Sequence, residues 1–360
     1  METIKELKTK LENEIKKASQ VFVIGHNEPD FDSIGSCIGL YTMAKHFKKP
    51  AYIIIDDEPS ILDAGVKMIM DDTKEKYNYI KKEDFLKIVH SNALLIMTDV
   101  NNKQRTSIGD SSDKFKKIIV IDHHNDSEPS IPSENKYITY ETSSVCEIVT
   151  YLLNKLKIPY SNDVASYLFA GISQDTARFK RNVKDHTLSI ASQLKKKGAD
   201  TDYVNDLSLE EFESFCRISN LIINGTILKK YTDSNLAPIQ ISFTMNRSNP
   251  TEINSKEDYA KAADRLIKFR GFDGAFVFGY VSNDAVHVSA RSNKIDVGKI
   301  LKEIGGGGNP QSAGGRFKTD NIFNLEQKLM DSVPIGISQE ENIIEEPKIV
   351  LVKQKIKRKK

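Results

Sequence analysis

Residues 21–36 read VFVIGHNEPDFDSIGS, in which an apolar run leads into a polar loop and then into a helical pattern. Further apolar runs recur at 51–56 (AYIIID), 93–100 (ALLIMTDV) and 117–124 (KIIVIDHH), and longer amphipathic stretches separate them. Short β-rich runs that alternate with helical segments are typical of βαβ units. The sequence therefore predicts an α/β fold whose first domain is a doubly wound, mostly parallel sheet.

The length of 360 residues predicts two domains. We expect a catalytic, metal-binding domain over residues 1–200 and a helical connector over 201–235. A smaller α+β domain is predicted over 236–333, because strand-like runs such as 274–281 alternate there with helical segments. The cleft between the two domains is the expected place for a ligand.

Charge and composition exclude several classes of protein. The net charge is only +2, and no apolar run approaches the ~20 residues of a membrane helix, so no membrane span is predicted. The three cysteines fit neither a disulfide framework nor a zinc spacing, which indicates a cytoplasmic location.

Residues 334–360 are predicted as a flexible tail whose last thirteen residues hold seven Lys or Arg and no acid. Such a tail can contact RNA or anionic surfaces.

Acidic and imidazole side chains cluster where the predicted strands end. Asp30 and Asp32 follow the first run, and their spacing points both the same way in an extended loop. Asp99 ends another run, the sequence Asp122-His123-His124 ends a third, and Asp175 lies in a later loop. In a parallel sheet, ligands bind outside the carboxyl ends of the strands. One site should therefore collect at least five acids or imidazoles.

This mixture of His and Asp without cysteine suits Mn²⁺, with Mg²⁺ or Fe²⁺ as alternatives, rather than a structural zinc. Carboxylates this close repel each other unless a cation lies between them. Two ions that share a carboxylate can activate a water and stabilise a phosphoryl centre. The residues therefore favour hydrolysis of a phosphate ester.

The glycine run in the second domain suggests a substrate clamp. Gly306, Gly307 and Gly308 leave backbone N–H groups uncovered, so that they can approach phosphate oxygens. Nearby, Ser289 and Arg291 follow a predicted strand, and the guanidinium is a forked partner for a non-scissile phosphate.

The ordered motifs GHNEPDFDSIGS, TDVNN, DHH, GISQDT, VSARS and GGGGNPQSAGG resemble those of the DHH phosphoesterase superfamily with its DHH-associated C-terminal domain. The resemblance spans residues 20–317. It implies that one Mn²⁺ is held by His26, Asp30 and Asp99. It implies a second Mn²⁺ on Asp32, Asp99, His123 and Asp175, with Asp99 as the bridge. His124 would act beside Asp99 in catalysis, and Asn309 would join the substrate-binding residues.

Within the superfamily the sequence is most similar to GdpP-type cyclic di-AMP phosphodiesterases. That branch implies opening of cyclic di-AMP to pApA, and onward to AMP, by a two-metal-activated hydroxide. The segment DTARF at 175–179 is closer to nanoRNases and 3′-phosphoadenosine 5′-phosphate (pAp) phosphatases, which act on short linear nucleotides. A non-catalytic nucleotide sensor is a third reading, because Asn309 and Asn102 stand where the family carries His and Arg. We expect a homodimer.

Overall fold

The computed structural model describes residues 4–55, 63–124, 131, 135–233, 238–319, 321–333 and 342–344. The chain divides into two compact units, Met1–Leu209 and Glu210–Lys360. Each unit has its own sheet and its own core. No helix within the described ranges combines the length and apolar character needed to cross a membrane.

The first unit is built on a six-stranded, fully parallel sheet. Its strands, in chain order, are β1 (Val21–Ile24), β2 (Ala51–Ile54), β3 (Tyr79–Ile80), β4 (Leu94–Thr98), β5 (Lys117–Asp122) and β6 (Lys136–Ile138). The spatial order is β3-β2-β1-β4-β5-β6. Strands β2 and β3 extend from β1 toward one edge of the sheet, and β4, β5 and β6 extend from it toward the other edge. Val23 pairs with Ile53 on one side and with Ile96 on the other. The predicted parallel α/β sheet is confirmed.

Helices cover both faces of this sheet. They are α1 (Ile4–Lys17), α2 (Phe31–His46), α3 (Ala64–Thr73), α4 (Lys82–Ile88), α5 (Val145–Lys155), α6 (Asn162–Asp175), α7 (Thr187–Lys196) and α8 (Thr201–Leu207). Strand alternation divides the core in two. Val21 and Val23 belong to the larger cluster with α2, α5 and α6, whereas Phe22 and Ile24 pack in a smaller cluster with Phe85 of α4. Strands buried on both faces explain the continuous apolar runs in the sequence.

Helices α2 and α6 approach each other closely through two glycines. A Cβ on Gly35 would lie 2.6 Å from the carbonyl oxygen of Tyr167 in α6, and a Cβ on Gly171 would lie 2.9 Å from Asp32 Cα in α2. Neither position has space for a larger side chain. The sequence analysis placed Asp175 in a loop, but α6 continues through the closely packed Gly171 and includes Asp175 as its last residue.

The second unit contains a seven-stranded sheet. Its strands are β7 (Thr226–Asp233), β8 (Ile239–Thr244), β9 (Gly274–Ser282), β10 (Ala285–Ser292), β11 (Gly307–Gly308), β12 (Ser312–Lys318) and β13 (Asn342–Ile344). The order is β11-β12-β10-β9-β8-β7-β13, with only the β8–β9 pair parallel among the described strands. Helices α9 (Phe212–Gly225) and α10 (Lys256–Leu266) share one apolar cluster with β9, and α11 (Val297–Glu303) and α12 (Ile322–Ser332) share another.

Residues 201–235, predicted as a helical connector, are divided between the two units. Helix α8 belongs to the first unit, whereas α9 packs through Ile218 and Leu221 against Tyr259 of α10. Residues 226–233 form β7, which pairs with β8 instead of continuing a helix. Pairing with β8 therefore decides the secondary structure of residues 226–233. Most of the predicted tail, including residues 345–360, lies outside the described residues.

Candidate metal centre

The carboxyl edge of the first sheet collects the predicted ligands. His26 follows β1, Asp99 follows β4, and His123 follows β5. Asp30 is the N-cap of α2, where its carboxylate accepts from Ser33 N at 3.0 Å. Asp32 lies in the first turn of α2, and Asp175 is the last residue of α6. Strand order and these two helix termini bring six side chains from separate motifs to one place.

One group of candidate ligands contains His26, Asp30 and Asp99. The Nε2 atom of His26 lies 3.3 Å from Asp99 Oδ2 and 3.7 Å from Asp30 Oδ1. Nδ1 of the same ring lies 2.7 Å from the carbonyl oxygen of Asn27, to which it can donate a hydrogen bond. This contact turns Nε2 toward the two carboxylates and leaves it as the nitrogen able to hold a metal.

A second group contains Asp32, His123 and Asp175. The Nε2 atom of His123 lies 3.2 Å from Asp175 Oδ2 and 3.8 Å from Asp32 Oδ2. It also lies 3.4 Å from Asp99 Oδ1, the oxygen that does not face His26. The two oxygens of the Asp99 carboxylate are therefore directed at different imidazoles, one in each group.

The N-terminus of α5 holds Asp32 through a long-range contact that the sequence did not predict. The Asp32 carboxylate is fully buried and accepts from Val145 N and Cys146 N, each at 2.7 Å, at the start of α5. Backbone N–H groups at a helix N-terminus favour a negative charge. The neighbouring Gln174 accepts from Phe31 N at 2.7 Å and so ties α6 to the start of α2. The capping pattern Ser143-Ser144 before an apolar run was the available signal for that helix start.

His124 lies at the open side of the cluster, with its side chain 46% exposed. Its Nδ1 is 2.9 Å from Asp122 Oδ1 and 3.2 Å from Asp99 Oδ1. Asp122 also accepts from the backbone N–H groups of His123 and His124. The sequence placed Asp122 in this cluster without assigning it a role, and its carboxylate orients this imidazole. Asp99, His123 and His124 form a third group of ligand atoms close enough to hold an ion.

The electrostatics of the cluster show a need for positive charge. Burial alone would lower the pKa of His26, but hydrogen bonds to Asp30 and Asp99 outweigh it and raise that pKa to about 11. Burial likewise opposes protonation of His124, and contacts with Asp122 and Asp99 nevertheless raise its pKa to about 10. The neighbouring carboxylates therefore favour the protonated form of both imidazoles.

The carboxylates divide into two kinds. Burial and the negative charge of Asp32 raise the pKa of Asp175 to about 10, and burial followed by the charge of Asp99 raises that of Asp32 to about 6. Burial acts in the same direction on Asp99, but the neighbouring imidazoles, that of His123 first, hold the pKa of Asp99 well below its usual value. The surrounding imidazoles thus stabilise the negative charge of Asp99.

The residues fit a pair of divalent ions. Within the described residues, Asp99 Oδ1 and Asp175 Oδ2 are buried oxygens without a hydrogen-bond partner, and both face His123. Buried carboxylate oxygens are costly unless paired. Oxygen and imidazole donors without thiolate suit Mn²⁺ or Mg²⁺ better than a structural zinc.

The predicted substrate residues of the second unit lie in neighbouring positions of its sheet. Ser289 pairs with Gly314, which pairs in turn with Gly307. Gly307 and Gly308 form this edge strand and Gly306 precedes it, so the glycine run is partly a strand and not a free loop. Gly308 has φ +143, and a Cβ there would lie 2.4 Å from Ala313 Cα. Close backbone approach explains why glycine is needed at that position.

Two polar side chains at the end of this sheet already have partners. Arg291 Nε donates to Asp264 Oδ1 of α10 at 2.9 Å. The side-chain oxygen of Asn309 accepts from the backbone N–H groups of Gln311 and Ser312, at 3.0 and 2.8 Å, and so closes the β11–β12 turn. Asn309 therefore has a structural task in addition to any contact with a ligand.

Comparison with known families agrees with both halves of this description. Residues 20–172 match the DHH family, N-terminal domain, and residues 243–333 match the DHHA1 domain. The chain belongs to the DHH superfamily. The resemblance inferred from the motifs is thereby confirmed, together with the order of a DHH domain before a DHHA1 domain.

The chain is similar in sequence to two curated proteins. It is 29% identical over 330 residues to "Cyclic-di-AMP phosphodiesterase GdpP" of Bacillus subtilis, which covers 89% of this chain and 48% of that protein. It is 24% identical over 308 residues to "Bifunctional oligoribonuclease and PAP phosphatase NrnA" of Mycoplasma genitalium, which covers 84% of this chain and 90% of that protein. The chain spans about half the length of the GdpP relative.

The fold also matches a solved structure, an exopolyphosphatase-related protein from Bacteroides fragilis. The TM-score is 0.70 at 18% sequence identity, over 93% of this chain and 98% of the other. At this identity the match concerns the fold alone, and it supports the predicted fold class.

The DHH pattern often carries an Arg shortly after the residue that corresponds to Asp99. This chain has Asn102 and then Lys103 there. Asn102 accepts from Gln104 N at 2.8 Å and starts a short 3-10 helix over Lys103–Arg105. Lys103 Nζ pairs with Asp113 at 2.7 Å. Both departures therefore support the local loop, and the charge of Lys103 is already paired.

Proposed function

We propose that the chain is a manganese-dependent phosphodiesterase that opens cyclic di-AMP to linear pApA and then cleaves pApA to AMP. The position of Asp99 is the observation that carries this proposal. Its two oxygens face separate imidazoles at 3.3 and 3.4 Å, and each imidazole belongs to a different ligand group. This is the arrangement expected of a carboxylate that bridges two ions.

The residues that would hold the ions follow from the two groups. His26, Asp30 and Asp99 would hold one Mn²⁺, and Asp32, Asp99, His123 and Asp175 the other. When bound, such a pair lowers the pKa of a water molecule and neutralises charge on the phosphoryl group. Mg²⁺ and Fe²⁺ suit the same donor types and belong in the same assays.

The other side chains orient and exchange protons. Asp122 holds Nδ1 of His124, which leaves Nε2 as the atom able to carry a proton for the departing 3′-oxygen. In the hydrolysis a water oxygen forms the new P–O bond, and the 3′-oxygen leaves with a proton. We assign Asp99 and His124 to catalysis on these grounds.

The substrate assignment rests on the GdpP relative and on the DHHA1 residues. Ser289 and Arg291 lie on β10, which β12 separates from the glycine-run strand β11. Hydroxyl, guanidinium and backbone N–H groups of this part of the sheet can bind a phosphate that is not cleaved. We place the reaction in the cytoplasm, and the free thiols of Cys37, Cys146 and Cys216 support that location. A homodimer remains a prediction.

A second candidate is a nanoRNase or pAp phosphatase that uses the same centre on short linear nucleotides. The match to NrnA supports it, because the similarity extends over 90% of that protein, whereas only about half of the GdpP relative is covered.

A comparison of substrates separates the two candidates. Purified protein with Mn²⁺ is incubated separately with cyclic di-AMP, pApA, pAp and a short RNA, and kcat/KM is measured for each. The proposal expects the highest value for cyclic di-AMP. A preference of orders of magnitude for pApA or pAp would favour the second candidate, and binding without turnover of any of them would indicate a sensor.

A further inference from the structure

The turn after α10, residues 268–270 (Lys-Phe-Arg), lies beside the substrate-binding residues of the DHHA1 domain. We call it the KFR turn. Asn293 Nδ2, two residues after Arg291, donates to the carbonyl oxygen of Ile267 at 3.3 Å. Arg291 itself donates to Asp264 of α10. The end of α10 and the end of β10 are therefore bonded to each other, which brings the KFR turn to the Arg291 end of the sheet.

The aromatic ring of this turn is exposed but supported. Phe269 is 57% exposed. An aromatic ring in water does not stabilise the fold, so its exposure calls for another explanation. Its ring centroid lies 6.2 Å from that of Phe272, with the planes tilted by 55°. Phe272 packs in turn against the apolar cluster beneath α9 and α10. The ring of Phe269 is thus presented to solvent from a fixed base.

The two charges of the KFR turn have no ion-pair partner among the residues that the structure describes. Lys268 and Arg270 are both exposed, and no described carboxylate forms an ion pair with either. The two nearby acids are already paired, Asp264 with Arg291 at 2.9 Å and Asp273 with Lys294 at 2.8 Å. The turn therefore offers two available cations on either side of one aromatic face.

We propose that the KFR turn is a nucleotide subsite, in which a base of the substrate stacks on Phe269 while Lys268 and Arg270 face its phosphates. Cations interleaved with an exposed aromatic ring are the chemistry that binds single-stranded nucleotides. The inference rests on the proposed function, since it assigns to this turn the nucleotide that is not being cleaved. It predicts that substrates with two bases bind better than a base-free phosphodiester.

The absence of tryptophan from the sequence allows a direct test. Phe269→Trp places a single indole in the subsite, and its emission is followed while pApA is added to the full chain, first with EDTA to prevent hydrolysis and then with Mn²⁺. Phe323→Trp is the matched control, because Phe323 is 50% exposed and lies on α12, in the other apolar layer of the same domain. Saturable quenching is expected for Phe269→Trp alone.

A second pair of variants separates stacking from packing. Phe269→Leu should weaken binding of pApA by about fivefold or more, whereas Phe269→Trp should retain it. Turnover of bis(p-nitrophenyl) phosphate, which has no base, and Mn²⁺ content should not change in either variant. Arg270→Gln should weaken pApA binding and reduce its salt dependence.

The outcomes distinguish the subsite from the proposed function. Absence of quenching at Phe269→Trp, while calorimetry shows that pApA binds, would overturn the subsite and leave the proposed function standing. Equal quenching at both tryptophan positions would also overturn it. If nucleotides neither bind nor react while bis(p-nitrophenyl) phosphate is hydrolysed, the proposed nucleotide substrate is wrong, and the subsite falls with it.

Discussion

The substitution Gly171→Ala tests the link between helix packing and the metal centre. A Cβ at this position would lie 2.5 Å from Cys146 Sγ and 2.9 Å from Asp32 Cα. Non-bonded carbon atoms prefer separations of about 3.5–4.0 Å, so α6 must move by about 1 Å away from its neighbours. One of those neighbours is the backbone of a proposed ligand, and α6 ends at another, Asp175.

The expected magnitude follows from that displacement. Overpacking of this kind costs about 1–3 kcal/mol, and a unit of about 200 residues loses roughly 2–4 °C in Tm for each kcal/mol. Gly171→Ala should therefore lower the Tm of the first unit by about 2–12 °C. A shift of Asp32 relative to Asp175 should also weaken Mn²⁺ binding by about 10- to 100-fold, as loss of supporting contacts around a metal typically does.

Calorimetric unfolding and Mn²⁺ titration measure the two effects. Ser173→Ala is the control, since it lies on the same helix and adds no atoms. Adding Cys146→Ala to Gly171→Ala removes the shorter contact and should recover part of the loss in Tm. If Gly171→Ala leaves both Tm and Mn²⁺ affinity unchanged, the close packing of α2, α5 and α6 does not position the ligands.

Three further predictions concern strain, the glycine-run turn and pH. Ala177 has φ +48, so Ala177→Gly should raise the free energy of unfolding by about 0.5–1 kcal/mol in urea titrations, and a loss of stability would contradict the strain argument. Asn309→Ala loses two hydrogen bonds and should destabilise the DHHA1 domain by about 1 kcal/mol, whereas Asn309→Asp keeps both acceptors and should not. The pKa of His26 near 11 and that of Asp175 near 10 mean that Mn²⁺ must displace protons at neutral pH, so Mn²⁺ affinity should rise with pH between 6 and 9. Calorimetry in buffers of different ionisation enthalpy measures this release, and identical heats would contradict it.

Most of the candidate ligands that the structure brings together follow directly from local sequence pattern. A buried parallel strand appears as a short apolar run, and the polar residue that follows it must lie at the carboxyl edge. Asp99 and His123 could be placed by this rule alone. Asp175 was expected in a loop, whereas it is the last residue of α6, and its role as a ligand was implied only by the family resemblance.

The remaining errors arose where tertiary pairing overrides local pattern. Residues 226–233 have an apolar content compatible with either helix or strand, and only pairing with β8 makes them a strand. The glycine run has no side chains to indicate a strand, yet Gly307 pairs with Gly314. The N-terminus of α5 that holds Asp32 is 113 residues away from it in the chain, so no local signal could connect them.

Electron paramagnetic resonance of the Mn²⁺-loaded full chain tests directly whether Asp99 bridges two ions, because two ions that share a carboxylate are magnetically coupled. We expect two Mn²⁺ ions per chain and an exchange-coupled spectrum. Asp99→Asn should abolish both the coupling and turnover. A spectrum of isolated ions in the unmodified protein, or coupling that survives in Asp99→Asn, would contradict the assignment of Asp99 as the bridge.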